Sequence, residues 1–337
     1  MDEHPPQLGF DASRHREVGA WQRALRAKVK AAMGWGNLPA RKCPLAVRTL
    51  GRKEIAQGVI EKLVFTAEPG AEVPAWLCLP KRGTPPYPVF ICLQGHSTGM
   101  HLSVGEPPDR ETPAKNTAEG DRDFALGCMA RGIAALCIEQ RAFGERRERH
   151  IGNERGYLTC HQAAMNALLV GRTLAGERAY DVDRGIDLLV ERNRRGGRLF
   201  DMRRVGVMGN SGGGLVSILA GAVLPRVTHM IPSCGFCTYR RSIASLYHCV
   251  DNYLPGIRRW AEMGDVLGLF APRPVVVVAG RNDDLFPLAG VREAFTQVKR
   301  IYTAADAPGQ CKLVIGEGGH RFYREAAWRA MLPMLKA

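Results

Sequence analysis

No apolar run in the 337-residue sequence approaches the roughly 20 residues that a membrane-spanning helix needs. The first residues, MDEHPPQLGFDASRHREVG, place acidic side chains and prolines where an export signal carries a basic end and then an apolar core. We therefore expect a soluble, cytoplasmic protein with no membrane partner. Internal repeats and low-complexity linkers are also absent, which removes solenoid and fibrous architectures. Aromatic residues are sparse, at 7%, and do not interleave with the short basic clusters ERNRRGGR and ERRER. The net charge of +14 thus comes without the stacking platform that single-stranded nucleic acid requires, and no nucleic-acid partner is expected.

Cysteine is not scarce, but its pattern argues against a disulfide framework. The ten cysteines are scattered through apolar stretches such as AWLCLP, FICLQG and AALCIE, as buried thiols in a reducing compartment would be. One local group stands apart: Cys234 and Cys237 form a CxxC, followed by His248-Cys249. A zinc site there would match no common ligand spacing. No metal or organic cofactor is expected.

The remaining composition, 45% hydrophobic and 24% charged, is that of a globular protein with a substantial core. Trp21, Leu25, Val29 and Met33 recur at helical spacing and predict an amphipathic N-terminal helix, so residues 1–40 read as a helical extension. That helix would either pack on its own domain or carry a homo-oligomer contact. GVIEKLVFTAE and EVPAWLCLP, joined through Pro69-Gly70, predict an antiparallel hairpin. After it, short apolar runs alternate with helical stretches: 88–95, 132–139, 204–209, 227–233, 274–280 and 311–317 as strands. This is the α/β class, a mostly parallel twisted sheet with helices on both faces, occupying 41–337. In such a sheet ligands bind beyond the carboxyl ends of the strands. Three long connections, 96–119, 140–160 and 234–272, leave that edge. Residues 233–272 would supply a partial lid.

The stretch VGVMGNSGGGLV places Ser211 between a buried strand and a helix. Gly209-Asn210-Ser211-Gly212-Gly213 is G-x-S-x-G in strand–turn–helix context, where the turn lifts a serine hydroxyl off the sheet. Glycine at 209 and 213 removes a clash between segments that pass closely. A serine hydroxyl needs a base, and the base an orienting carboxylate, in the chain order serine, acid, histidine. The strand ending in RNDDLFP offers Asp283 and Asp284. The next ends in GEGGHRFY, with His320 on a glycine-rich loop. His229 lies inside a strand and His248 in the third connection. Asp283 comes first after its strand and is preferred to Asp284; Glu317 faces water, and Asp265 reads as a helix cap. The oxyanion of an acyl transfer needs two donors. One is the N–H of Gly212. The other belongs to the loop after 88–95, most simply the N–H of His96, with Gly95 and Ser97 as alternatives.

GNSGGG, AGRNDDLFP, EGGHRFY, LQGHSTGMH, EQRAFGER and SCGFCTYRRSIASLYHC together resemble the α/β-hydrolase superfamily, in its acetylxylan-esterase and dienelactone-hydrolase-related branch, from about residue 40 onward. The resemblance implies Ser211, Asp283 and His320 as the catalytic residues. It departs from dienelactone hydrolases proper, which use a cysteine nucleophile. Gln94, His96 and His101 on the first connection would line the substrate pocket. Gln140, Arg141 and Phe143 on the second, and Cys234, Phe236, Tyr239, Tyr247 and Trp260 on the third, would complete it, with Phe286 beside the acid. Arg141 would either meet a substrate carboxylate or anchor its loop. The expected activity is a serine carboxylesterase acting on short acyl esters, chiefly acetyl esters of carbohydrates or small alcohols. An amidase, peptidase or polyester hydrolase would use the same triad, and a basic binding protein on a hydrolase fold is the reading from another class.

Overall fold

In the computed structural model, which describes residues 5–96, 99–106, 119–148 and 159–336, the parallel strands alternate side chains between two cores. β4 (Tyr87–Leu93) sends Val89, Ile91 and Leu93 into the larger core and Phe90 and Cys92 into the smaller one. β8 (Val275–Gly280) divides Val275, Val277 and Ala279 from Val276 and Val278 in the same way. A strand with apolar residues at every position is stable only when both sheet faces are covered. The continuous apolar runs in the sequence follow from that.

The sheet has nine strands in the order β1-β2-β3-β5-β4-β6-β7-β8-β9. The others are β1 (Arg48–Ile55), β2 (Gly58–Glu68), β3 (Ala71–Pro80), β5 (Ala134–Ile138), β6 (Phe200–Asn210), β7 (His229–Ser233) and β9 (Cys311–Gly316). β2 and β3 form the expected antiparallel hairpin, pairing Gly58 with Pro80 through Phe65 with Val73. β1 was not expected. Its residues RTLGRKEI are almost wholly exposed on the sheet edge, so they lack the apolar alternation by which strands are recognised. From β5 onward the neighbours are parallel.

The larger core is closed by α1 (Val18–Ala32), α4 (Leu174–Gly196), α5 (Gly212–Val223), α6 (Met263–Gly268) and α7 (Leu288–Ala304). The smaller lies under α2 (Phe124–Met129) and α8 (Arg324–Lys336). The helical stretch between β5 and β6 is broken around Gly171 into α3 (Thr159–Leu169) and α4. Thr173 caps α4 by accepting from the N–H of Gly176 at 3.0 Å, which satisfies one of the four orphan donors at a helix start.

α1 packs on its own chain. Trp21, Leu25, Val29 and Met33 are buried as their spacing predicts. Arg26 donates to the Ala222 carbonyl at 2.7 Å and the Leu269 carbonyl at 2.9 Å. Residues 233–272 are less of a lid than expected. Phe236, Tyr239, Ile243, Leu254, Ile257 and Met263 are core residues, whereas Leu246, Tyr247 and Tyr253 are exposed.

The cysteine reading needs correction. Cys160 and Cys249 are joined as a disulfide across 89 positions, while the other eight cysteines are free. Each partner lies far from the other in sequence, and neither has a spacing that marks it. Among the described residues no helix is long and apolar enough to cross a membrane.

Candidate active site

β6 runs straight into α5 with one residue between them. That residue, Ser211, has φ 58° and ψ −126°, a conformation that costs on the order of 1–3 kcal/mol for a side chain other than glycine. The surroundings hold it there. Its N–H donates to the Ser233 carbonyl at 2.9 Å, and its own carbonyl accepts from Leu215 N–H at 3.0 Å. The glycine requirement read from the sequence is visible. A Cβ at Gly209 would stand 2.6 Å from the Gly213 carbonyl and equally close to the carbonyl of Leu93 at the end of β4. The turn is therefore pinched between its own two arms and a third segment that the motif does not reveal.

Asp283 follows β8 and His320 follows β9, so both arrive at the carboxyl edge where β6 delivers Ser211. His320 Nδ1 donates to Asp283 Oδ2 at 2.9 Å, and the other carboxylate oxygen accepts from the backbone N–H groups of Leu285 (3.0 Å) and Phe286 (3.1 Å). Burial alone would raise the Asp283 carboxyl. The His320 hydrogen bond and charge, with the Cys234 thiol and the Phe286 N–H, bring it below the ordinary carboxylate value instead. Asp284 is exposed, Glu317 pairs with Arg281 at the surface, and Asp265 completes a capping box at the start of α6. The first aspartate after the strand is the one that meets the histidine.

Ser233 and Cys234, at the end of β7, connect the two halves of this arrangement. Ser233 takes the Ser211 N–H. The Cys234 sulfur lies within 4.8 Å of both Asp283 and His320 and contacts the Arg321 carbonyl at 3.3 Å. Burial, then the neighbouring Asp283 carboxylate, pushes that thiol up to about 12, so it is a neutral hydrogen-bonding group and not a nucleophile. Phe286 stacks on His320 with ring centres 6.0 Å apart and meets His248 edge-on at 5.4 Å. His248 itself is tied to Ser242 Oγ at 3.0 Å, and burial first among the causes lowers its pKa.

The loop after β4 comes down on the elbow. A Cβ at Gly95 would touch the Ser211 Cβ at 2.9 Å, and one at Gly212 would sit 3.0 Å from His96 Nδ1. Gly212 N–H lies at the start of α5, where the unpaired donors and the positive dipole end face the site. Ser97, the alternative donor, lies outside the described residues. The His96 ring carries a second feature that sequence reasoning missed. Its Nε2 is 2.9 Å from Asp251 Oδ1, and Asp251 Oδ2 is 2.5 Å from Arg178 Nη1. Arg178 is 1% exposed and lies 4.0 Å from the Phe143 ring centre. Burial would raise the Asp251 carboxyl, but Arg178 and His96 outweigh it and bring it down to about 2. No local signal marks Asp251 or Arg178: they stand 155 and 82 positions from His96, by subtraction of their numbers.

Several residues assigned to the substrate pocket do other work. Gln94 donates to Ser103 Oγ and the Arg122 carbonyl, and Gln140 donates to the Gln94 carbonyl, so both lock loops. His101 pairs with Glu145 at 2.6 Å. Arg141 anchors its loop: its guanidinium meets Glu68, Glu177 and Asp181 at 2.8, 3.2 and 2.9 Å. Trp260 lies under α1, with Lys28 Nζ 4.2 Å from its ring centre, and Phe236 is buried in the larger core. Cys234, His96, Phe143 and Phe286 are at the site; Tyr239 is buried away in the core and Tyr247 is almost fully exposed. The four residues of the conceivable zinc group are not gathered: Cys249 is bonded to Cys160, Cys237 contacts the Pro287 carbonyl, and Cys234 faces Asp283.

Known proteins share this arrangement of strands. No protein-family model matches the chain. YtaP of Bacillus subtilis, described as a hydrolase, is 24% identical over 293 residues, 85% of this chain and 90% of that protein. Among solved structures, one assigned as an acetyl xylan esterase of Bacteroides fragilis superposes with a TM-score of 0.75 at 17% identity, over 96% of this chain and 81% of its own. A glucuronoyl esterase from Solibacter usitatus gives 0.67 at 18% identity, over 97% and 94%. At these identities the likeness establishes the fold. The chain has the α/β-hydrolase fold, and its structural neighbours include the acetyl xylan esterases that its motifs resemble.

Proposed function

We propose that this protein is a serine carboxylesterase that cleaves short acyl esters, chiefly acetyl esters of carbohydrates or small alcohols. The observation that carries the reading is Ser211 on a strained strand–helix turn with a His320–Asp283 pair beyond the ends of β9 and β8, at the same edge of the sheet. Asp283 fixes His320 with its proton on Nδ1, so Nε2 is the nitrogen free to take the Ser211 proton. Ser211 Oγ then attacks the ester carbonyl. The oxyanion is held by the Gly212 N–H and a donor from the loop at His96. His320 passes the proton to the departing alcohol, and water repeats the sequence on the acyl-enzyme. The carbohydrate-esterase neighbours support an ester as the bond cleaved. The crowding of Phe143, Phe286, His96 and His248 around the elbow supports a small acyl group.

The test is hydrolysis of p-nitrophenyl esters from acetate to octanoate by the wild type and by Ser211→Ala. Turnover should be fastest on acetate and fall by at least about 10³-fold in the variant. Activity that survives in Ser211→Ala would overturn the assignment of the nucleophile.

A further inference from the structure

The His320–Asp283 pair has a counterpart across the elbow. His96 and Asp251 form a second histidine–aspartate pair, built on the opposite ring nitrogen: His320 uses Nδ1 toward its carboxylate, His96 uses Nε2. We propose that His96 is a specificity-determining residue whose Nδ1 accepts a hydrogen bond from a substrate hydroxyl next to the scissile ester, and that Asp251 and Arg178 are positioning residues that fix its tautomer. This rests on the esterase reading above.

Counting donors and acceptors on the ring identifies the nitrogen left for a ligand. A carboxylate only accepts, so His96 Nε2 must carry the hydrogen it shares with Asp251. In the neutral ring that leaves Nδ1 as a bare acceptor. The Nδ1–Cε1 edge faces the elbow, 3.0 and 3.1 Å from where a Cβ on residue 212 would stand, and the side chain is 25% exposed, so a bound substrate reaches it. A bare acceptor beside the oxyanion site cannot stabilise the oxyanion, because both are electron-rich. Nor can it bond to the ester group, which has no hydrogen to donate. A substrate partner would be a donor carried near the ester, such as a hydroxyl on a sugar or a diol.

The support behind the ring is consistent with a positioning role. Asp251 is wholly buried and ion-paired with an equally buried Arg178, whose other two nitrogens donate to the Arg141 carbonyl at 3.0 and 2.8 Å. Burying such a pair adds little stability compared with apolar residues of the same volume. What it does add is a fixed orientation for the His96 ring, which reaches the site. The disulfide ends on Cys249, two residues before Asp251, and ties the turn that carries it to α3.

The matched substrates are 2-hydroxyethyl acetate and 2-methoxyethyl acetate, which differ in one donor. Assayed at about pH 8.5, wild type should favour the hydroxyl ester in kcat/KM by about tenfold, the effect of one neutral hydrogen bond. In His96→Phe and His96→Ala, with folding checked by thermal unfolding, the ratio should fall to about one. In Asp251→Asn the side-chain oxygen must stay on Arg178, so its amide N–H faces His96 Nε2. The ring proton then moves to Nδ1, and the preference should vanish although the imidazole is still present. A merely structural role would lower both rates and leave the ratio alone. An unchanged ratio in the folded His96 variants overturns the proposal. So does loss of both esters to the level of Ser211→Ala, which would put His96 in the proton relay. An active wild type with a ratio of one overturns this inference alone; a wild type that hydrolyses neither ester overturns the esterase reading with it.

Discussion

Replacing Asp283 by asparagine changes one atom and should disable the site through the proton position on His320. The two carboxylate oxygens of Asp283 are not equivalent. Oδ1 accepts from two backbone N–H groups, those of Leu285 and Phe286, and Oδ2 accepts from His320. An asparagine has one acceptor oxygen. Two fixed backbone donors claim it, since turning the amide round would set its N–H₂ against both. The amide nitrogen must then face His320 Nδ1, which can only accept from it, so the ring proton shifts to Nε2. Nε2 is the nitrogen that has to take the Ser211 proton, and in this tautomer it cannot. A wrong tautomer of this kind costs about 10⁴-fold in kcat, or about 5.5 kcal/mol of transition-state stabilisation. The measurement is steady-state hydrolysis of p-nitrophenyl acetate by Asp283→Asn, with Asp284→Asn as the neighbouring control. Asp284 is exposed, so its variant should keep the wild-type kcat. If Asp283→Asn stayed within tenfold of wild type, or Asp284→Asn were the crippled one, the assignment of acid and base would be refuted.

Three further outcomes follow from the same structure. Denatured, unreduced protein should titrate eight thiols and reduced protein all ten; opening the loop of 89 residues should lower stability by about 4–5 kcal/mol in the chain-entropy account, read as a drop in Tm on reduction. Glu139 is buried where two loops meet, accepting from the N–H groups of Met100 and Glu145, and burial lifts its carboxyl to about 8. Because the folded value lies above the unfolded one, the folded state binds the extra proton between about pH 4.5 and 8. Stability should therefore fall with rising pH over that window, by at most about 5 kcal/mol, and urea midpoints of Glu139→Gln should show a much flatter pH dependence. Trp260→Ala should lose about 1–2 kcal/mol of stability with its Lys28 contact and its packing under α1, while kcat on p-nitrophenyl acetate stays put; a fall in kcat would return Trp260 to the pocket.

The elements that sequence reading placed well are those whose signal is local. β4, β8 and the Val205–Gly209 part of β6 are buried on both faces and therefore apolar at nearly every position. Ser211 is flanked by glycines because the chain crosses itself within five residues, and each of Asp283 and His320 lies just beyond the end of a recognisable strand. β1 failed the same test for the opposite reason, since an edge strand with both faces in water has no pattern to show. Gln94, Gln140, His101 and Arg141 were placed on the right loops, but a polar residue on an active-site loop has two uses. It can face the ligand or hold the loop. Nothing in the residue type separates them, and here all four hold loops.

What the sequence conceals is the closure of the long connections on one another. His96 was singled out for its backbone N–H, on the ground that a loop after this strand supplies an oxyanion donor in such folds. Its side chain answers to a different partner: an aspartate in the third connection, itself held by an arginine on α4. Each contact is specified only once the three segments are packed, because a buried carboxylate has to find donors from whatever elements surround it. The same holds for Cys160 and Cys249, which nothing in the sequence marks as a pair until α3 and the turn that carries Asp251 are brought together. The residues proposed to set the reaction follow strand ends, and their positions were therefore legible. Those proposed to set which ester is accepted sit on chain that meets only in three dimensions. In a fold that keeps its strand ends constant and varies its connections, substrate preference has to be read from packed side chains, and the His96–Asp251–Arg178 row is where this protein offers it to be read.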